Sequence, residues 1–445
     1  ITAARTAYDK LSDNAKTLVG NYETLTAAEE ALAKAEADVI SNAMKAIDAI
    51  GKVTADSKNK IEKAKDAYSA VPERLRDKVT NSDTLDKATE RFAVIDTIKQ
   101  AGTKSKDHFD TVLGTLADNN IYPVQSIGGE WSVIALARAG KLSADKAAKY
   151  YNELCEAVKA NGSDRLSDRK PTENARVIIA LSSLGKNSAD IAGYNLLSGL
   201  DDMDYITSQG INAVIFSLIA FDTTDYSAKT HDELIAYIVD NMTGKGWALA
   251  GDTADVDLTA MAIQALAPYA ADEKVNAAID SGLEFLAESL DENARYANGS
   301  ESTSQVLIAL AALGIDPLTD SRFIVDGITL IDALESYATE NGYSHTLGGE
   351  ENYMATEQAA LALTAYELSK DGSSLYEMSA KAEPTEPENP DTPAQPGDSV
   401  KPGDCSGKPE DKNDPINPGT GVLVTGGMAV LISGAVMLIS KKKRK

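Results

Sequence analysis

The stretch Gly246-Trp247-Ala248-Leu249-Ala250-Gly251, followed by Asp255-Val256-Asp257-Leu258-Thr259-Ala260 and then Met261-Ala262-Ile263-Gln264-Ala265-Leu266-Ala267-Pro268-Tyr269, sets the tightest limit on how this chain folds. It reads as a glycine-rich turn feeding a helix that is apolar on nearly every side. Such a helix has to be buried on every side. The same phrase, a polar N-terminal turn and then a small-residue-rich apolar helix, recurs over residues 130–140, 173–185, 212–222, 303–314 and 356–368. Anchored on Ala135, Ala180, Ser217, Ala265, Ala309 and Ala362, the six copies follow one another at steps of 45, 37, 48, 44 and 53 residues. Each step has room for two helices and two loops, and self-similarity at this period marks a repeat architecture whose units bury their apolar faces against one another.

More amphipathic stretches lie between the buried copies, at residues 144–160, 230–241, 273–289 and 328–338. The pattern predicts an all-α domain over residues 121–378, with buried helices in an inner ring, amphipathic helices in an outer ring, and six hairpins closing an (α/α)6 toroid.

The residues themselves resemble a known family, the α/α toroid of prenyltransferases and squalene cyclases. Asp255-Val256-Asp257-Leu258-Thr259-Ala260 is similar to the Asp-x-Asp-Asp-Thr-Ala motif of class II terpene cyclases, and Gly244-Lys245-Gly246-Trp247 resembles the Gly-Trp turns of their repeats. The fourth motif position is Leu258 here. The resemblance implies that Asp257 matches the proton donor of that family and that Leu258 stands where a neighbouring aspartate helps hold the donor in its acid form. The whole run also resembles the toroid repeats of bacterial surface proteins, which have no established reaction.

Parallel inner helices would bring Glu130, Thr172-Glu173, Asn212, Asp255 and Asp257, Glu301 and Thr356-Glu357 to one acidic mouth. Asp, Asn, Ser and Thr are also preferred helix caps, and carboxylates in a first turn are favoured by the helix dipole, so an ionised capping role for Asp257 is the simplest expectation. The candidate catalytic residues are Asp257 and Asp255. The candidate ligand-binding residues are Glu130, Trp131, Glu173, Trp247, Glu301, Tyr343, His345, Tyr353 and Glu357. A zinc site of the prenyltransferase type uses Asp, Cys and His, and the toroid offers only His231 and His345 with no cysteine beside Asp257. No metal or other cofactor is expected. The Gly-Cys-Gly-Glu-Gln motif of thioester toroids is absent from the sequence. A glycan-active toroid would use Glu173, Asp257 and Glu301 as acid and base, with Tyr194, Tyr296, Tyr343 and Tyr353 supplying sugar-stacking faces that two tryptophans cannot. Two functions stay open. One is binding of a small or cationic ligand, in the way the similar cobalamin-carrier toroids hold theirs. The other is an extracellular enzyme, either a degenerate cyclase or a glycan-active one. Binding is favoured.

The formal net charge of −25 sits almost wholly on this domain: residues 1–100 carry 16 basic and 17 acidic side chains, residues 381–445 carry 9 and 9, and residues 101–380 carry 18 and 42. The differences are −1, 0 and −24. A surface this acidic repels nucleic acid, anionic lipid and diphosphates, and also keeps a protein soluble. The two cysteines, Cys155 in an outer helix and Cys405 in a linker, do not make a disulfide framework, and Cys405 is expected as a free exposed thiol.

Residues 1–32 align with 61–92 at a period of 60 without a gap, including Ala7-Tyr8 with Ala67-Tyr68, Asn21 with Asn81 and Thr24-Leu25 with Thr84-Leu85; 10 of the 32 positions are identical. They read as small three-helix modules: a partial one over residues 1–38, whose first helix precedes Ile1, and a second over 39–120 that includes a connecting helix over 94–118. The modules are similar to the tandem helical repeats of Gram-positive surface proteins. They carry no catalytic cluster and suit a stalk, with Tyr8 and Tyr68 in packing roles and His108 solvated.

From residue 379 to 416 the composition turns Pro-, Gly- and Asp-rich, as in Glu383-Pro384-Thr385-Glu386-Pro387, and describes an extended spacer that cannot bury enough apolar surface to order itself. Residues 417–445 then run Asn417-Pro418-Gly419-Thr420-Gly421, an apolar stretch over 422–440, and Lys441-Lys442-Lys443-Arg444-Lys445. Nineteen residues span roughly 28 Å as a helix, enough for a bilayer core, and the basic end fits the positive-inside rule. This order resembles the Gram-positive cell-wall sorting signal, with Asn417 where leucine is usual. The resemblance implies sortase and peptidoglycan as partners, only transient membrane contact through 422–440, and an extracellular, wall-bound location. In a sortase-bearing Gram-positive cell the chain should become joined to the wall through Thr420; recovery of intact protein, basic tail included, by detergent alone would contradict that.

Overall fold

The computed structural model describes residues 1–118 and 122–378, so the spacer, Cys405 and the sorting segment lie outside the described residues. Helices are the regular structure of the described residues, with isolated two-residue bridges in place of strands. None of their helices is long and apolar enough to cross a membrane. The chain divides into two compact units, residues 1–100 with 326–328, and residues 101–325 with 329 onward.

The N-terminal unit contains α1 (Thr2–Asp9), α2 (Asp13–Lys16), α3 (Tyr22–Asp48), α4 (Lys58–Ser69) and most of α5 (Ser82–Gly102). The 60-residue repeat is visible in the backbone: α1, α2 and α3 are echoed by α4, a 3-10 turn over Glu73–Lys78, and α5. No module boundary falls at 38, because α3 runs unbroken from Tyr22 to Asp48. Its sequence contains no glycine or proline and is filled with alanine, glutamate and lysine, all strong helix formers. Ala43, Ile47 and Ile50 at its C-terminal end pack on Ile61, Ala64, Val71, Leu75, Val79, Leu85 and Ala88 to make this unit's core. Nor is there one connecting helix over 94–118. The chain turns at Thr103 and Lys104 between α5 and α6 (Ser105–Asp118).

In the second unit the remaining helices are α7 (Ile127–Arg138), α8 (Ala144–Asn161), α9 (Pro171–Ser183), α10 (Leu196–Leu200), α11 (Met203–Thr207), α12 (Ile211–Asp222), α13 (His231–Asp240), α14 (Val256–Leu266), α15 (Glu273–Glu288), α16 (Ser300–Ala312), α17 (Leu330–Glu335) and α18 (Tyr353–Ser369). The six expected apolar helices are α7, α9, α12, α14, α16 and α18. α7 packs on α9, α9 on α12, α12 on α14, α14 on α16, α16 on α18, and α18 on α7. Each is buried almost along its length; in α12 every residue from Ile211 to Phe221 is buried. The amphipathic helices pack outside them, α6 on α7 and α18, α13 on α12, α15 on α14 and α17 on α16. Between α9 and α12, where the period leaves room for one outer helix, the short α10 and α11 stand instead, capped by the side chains of Asn195 and Asp202.

Two sets of contacts tie helices of the circuit together. Trp131 of α7 meets Phe216 of α12 with ring centroids 5.5 Å apart, although these helices are not neighbours in the circuit. Gln264 donates to the Gln305 side chain (2.9 Å), which in turn donates to Gln358 (3.1 Å), joining α14, α16 and α18. Cys155 is buried on α8.

Large-to-small replacement should separate the buried from the exposed apolar positions of the N-terminal unit. Ile47→Ala, at a fully buried position, should cost about 2–5 kcal/mol by urea denaturation, whereas Leu18→Ala, at an exposed one, should change stability by less than about 0.5 kcal/mol. Equal effects would mean that Leu18 has apolar neighbours that this structure does not give it.

Candidate functional site

A repeated turn sets the N-terminal ends of the inner helices. At Gly246-Trp247, the Trp247 N–H donates to Thr259 Oγ1 (3.0 Å) and the Asp255 N–H donates to the Trp247 carbonyl (2.8 Å). At Gly342-Tyr343, the Tyr343 N–H donates to Thr356 Oγ1 (2.9 Å) and the Asn352 N–H to the Tyr343 carbonyl (2.8 Å). A side chain on Gly246 would collide with Thr259 Oγ1, and one on Gly342 with Thr356 Oγ1, so both turns need glycine for close approach. The aromatic residue that follows is swallowed by the core. Trp247 is fully buried with its indole N–H on the Ile238 carbonyl (2.6 Å), and Tyr343 is fully buried with its hydroxyl donating to Glu335 (2.6 Å). Trp247 and Tyr343 therefore hold the turns in place.

Asp255 is the N-cap of α14, its carboxylate accepting from the Leu258 N–H at 3.0 Å. The expectation that Asp257 is an ionised cap fails for that reason: the capping position is already filled, and Asp257 lies two residues further on, inside the protein. It is 0% exposed, and neither carboxyl oxygen has a hydrogen-bond partner. Ser302 on α16 is close enough to moderate the shift, but its hydroxyl makes no hydrogen bond of normal geometry, and Thr303 Oγ1 is also unpartnered. Burial pushes the Asp257 pKa up to about 7, with Asp255 and Glu301 adding like-charge repulsion while Ser302 and His345 pull the other way. Glu301, in the first turn of α16, is buried and its Oε2 lies 2.8 Å from His345 Nδ1. The structure thus brings Asp257, Glu301, Ser302 and His345 into one group.

A second group forms where α7, α9 and α18 begin. Glu130 accepts four hydrogen bonds, from the Gln125 and Ser126 N–H groups (2.6 and 2.9 Å), the Tyr150 hydroxyl (3.0 Å) and Arg176 Nε (3.0 Å). Burial moves its pKa upward against the pull of Arg176, yet four donors on two oxygens are the surroundings of an anion. At Arg176, burial lowers the pKa but Glu130 and Glu173 outweigh it, so the guanidinium stays charged. Its Nη2 bonds Glu173, while Nη1 is buried without a partner. Glu357 of α18 has one protein donor, Ser132 Oγ at 3.2 Å, and burial holds its pKa well above the usual carboxylate range. Tyr353 is partly exposed; its hydroxyl lies 2.8 Å from Ser132 Oγ and donates to the Gly128 carbonyl (2.9 Å).

The sequence-predicted residues therefore fall into two clusters and a framework. Asp255, Asp257, Glu301 and His345 belong together; so do Glu130, Glu173, Tyr353 and Glu357; Trp131, Trp247 and Tyr343 are packing residues. Glu173 does not join Asp257 and Glu301 as a third acid, because Arg176 takes it. Arg176, Tyr150, Ser132 and Ser302 are additions. Arg176 alone carried a sequence signal, a cation three residues after Glu173 in an otherwise apolar helix. His108 is not solvated: its Nδ1 lies 3.0 Å from Glu335 and 3.2 Å from the Tyr343 hydroxyl. A cavity of about 10 Å³, room for one water, is lined by Tyr122, Lys146, Lys149, Tyr150 and Glu153. Among the described residues no group of three or more His, Cys, Asp and Glu side chains is placed to hold a metal ion. No protein-family model, curated protein or solved structure matches this chain.

The raised pKa of Asp257 has a definite sign in folding. The folded state holds the proton up to about pH 7 and the unfolded chain releases it near the ordinary carboxylate value, so the stabilisation is complete below about pH 4 and is lost as pH rises through 7. Asp257→Asn removes that dependence. The variant should match wild type near pH 4 and exceed it by up to about 4 kcal/mol at pH 9, the equivalent of three pKa units. Parallel stability curves for the two proteins across that range would show that Asp257 titrates normally.

Proposed function

We propose that this chain is a wall-anchored surface protein whose helical domain is an (α/α)6 toroid, and that the N-terminal ends of its inner helices form a mouth that binds a small ligand carrying N–H or O–H donors. The reading of the toroid is supported by the circuit of six buried helices from α7 back to α18 and the amphipathic helices outside it. Wall anchoring rests on the sorting-signal resemblance of residues 417–445. The binding reading rests on one observation, the fully buried Asp257 carboxyl with no partner on either oxygen, near the unpartnered hydroxyl of Ser302. Buried polar atoms are nearly always hydrogen-bonded, so two such residues at the ends of two helices call for a donor from outside the protein. A cation is the best match. It converts Asp257 to the anion and pairs with it, and Glu301 adds attraction.

Ligand binding then depends on pH in the direction opposite to folding. With methylammonium as the probe, binding should tighten about tenfold per pH unit below pH 7 and level off above it, and Asp257→Asn should abolish the dependence. Chemical-shift changes at Asp257 and Ser302 that follow this profile would support the reading, and a pH-independent or absent response would contradict it.

A catalytic reading is favoured by a different observation: a carboxyl with its pKa near 7 is about half protonated at neutral pH, the condition a general acid needs. If purified protein turns over a polyprenyl or glycan substrate and Asp257→Asn lowers turnover by about a hundredfold or more, catalysis replaces binding as the function of the mouth.

A further inference from the structure

Three polar atoms from three elements of the second unit converge at the helix ends opposite the mouth. Asp222 closes α12, His231 opens α13, and Tyr269 ends the 3-10 turn over Ala267–Tyr269 that follows α14. Tyr269 Oη donates to Asp222 Oδ1 (2.6 Å), and His231 Nε2 lies 2.9 Å from each of those two oxygens. The other carboxyl oxygen, Asp222 Oδ2, is buried with no hydrogen-bond partner. The group is not sealed off from solvent, since the Asp222 and His231 side chains are 21% and 29% exposed.

The size of this triangle decides what it fits. Neighbouring ligands of an octahedral ion bonded at about 2.0–2.1 Å stand about 2.9 Å apart, whereas a tetrahedral ion with the same bond length needs about 3.3 Å, and so does octahedral calcium at about 2.3 Å. Edges of 2.6, 2.9 and 2.9 Å match one face of a small octahedral ion. The C-terminal end of α12 adds the negative pole of its dipole. The second imidazole nitrogen, Nδ1, lies 3.6 Å from Asp232 Oδ1, on the side where metal-ligating histidines keep a carboxylate. Tyrosine selects the ion. Burial and then Asp222 hold Tyr269 as a phenol, and a phenol ligates well only when a strongly polarising ion displaces its proton, which favours ferric iron over a divalent ion.

We propose that Asp222 Oδ1, His231 Nε2 and Tyr269 Oη form one face of a ferric-iron site. On binding, the iron–phenolate bond forms as the Tyr269 proton leaves to solvent, the imidazole proton moves to Nδ1 beside Asp232, and the iron keeps its oxidation state. Water fills the remaining positions and supplies the donor that Asp222 Oδ2 lacks. The site does not depend on the ligand read for the mouth.

The test titrates the full chain with ferric nitrilotriacetate at neutral pH. A visible phenolate-to-iron charge-transfer band should grow and saturate at one iron per chain. Tyr269→Phe, which keeps the ring and its packing, should lose the band, and His231→Gln or Asp222→Asn should weaken iron binding at least about tenfold. A measurement on the wild-type protein guards against a variant that fails to fold: of the three histidine ring signals, that of His231 should be the first broadened by the paramagnetic ion. Three results overturn the proposal: no band at saturating iron, a band that Tyr269→Phe retains, or broadening of His345 ahead of His231, which would place the iron at the acidic mouth.

Discussion

A carboxyl group taken out of water persists only as a neutral acid, as part of an ion pair, or inside a shell of donors. The second unit buries carboxyl groups at the beginnings of its inner helices and uses all three solutions. Glu130 has the donors and the guanidinium of Arg176; Glu357 and Asp257 have too few partners, and burial drives both toward the acid form. Helix dipoles favour the anion at this end, worth at most about 2 kcal/mol, and cannot offset complete desolvation of a group with no donor. The chemistry at these helix ends follows from this competition.

The rest of the unit makes that burial unavoidable. Helices without a polar face pack only if neighbours surround them, and the circuit of six closes on itself. Gly246 and Gly342 let the preceding turns press against Thr259 and Thr356, which fixes the depth at which each helix begins. Trp131 against Phe216 and the Gln264–Gln305–Gln358 chain link helices of the circuit to one another.

The helices that pack were legible in the sequence, because an uninterrupted run of alanine, leucine, isoleucine and valine has one physical outcome. Short elements were not: α10 and α11 have five residues each and no periodicity, and only their caps, Asn195 and Asp202, mark them. The continuity of α3 is hidden in the sequence because the repeat alignment ends at residue 32 and a fresh apolar stripe begins at Val39, although nothing between them breaks a helix. At the site, composition located the acids but not their states. Asp255 and Asp257 look alike in sequence, and two residues of helix separate an ordinary cap from a buried acid. His108 was misjudged for a related reason, since its partners Glu335 and Tyr343 lie more than two hundred residues away.

The chemistry of this site turns on whether burial holds the Asp257 carboxyl near neutrality. Carbon-13 labelling of the aspartate side chains and a carboxyl chemical-shift titration from pH 3 to pH 9, with Asp257→Asn to assign the signal, measures this directly. The structure predicts the Asp257 carboxyl titrating with a midpoint near 7, well separated from Asp320, which Arg322 holds below the usual value. A midpoint for Asp257 at or below about 4, the ordinary aspartate value, would contradict it.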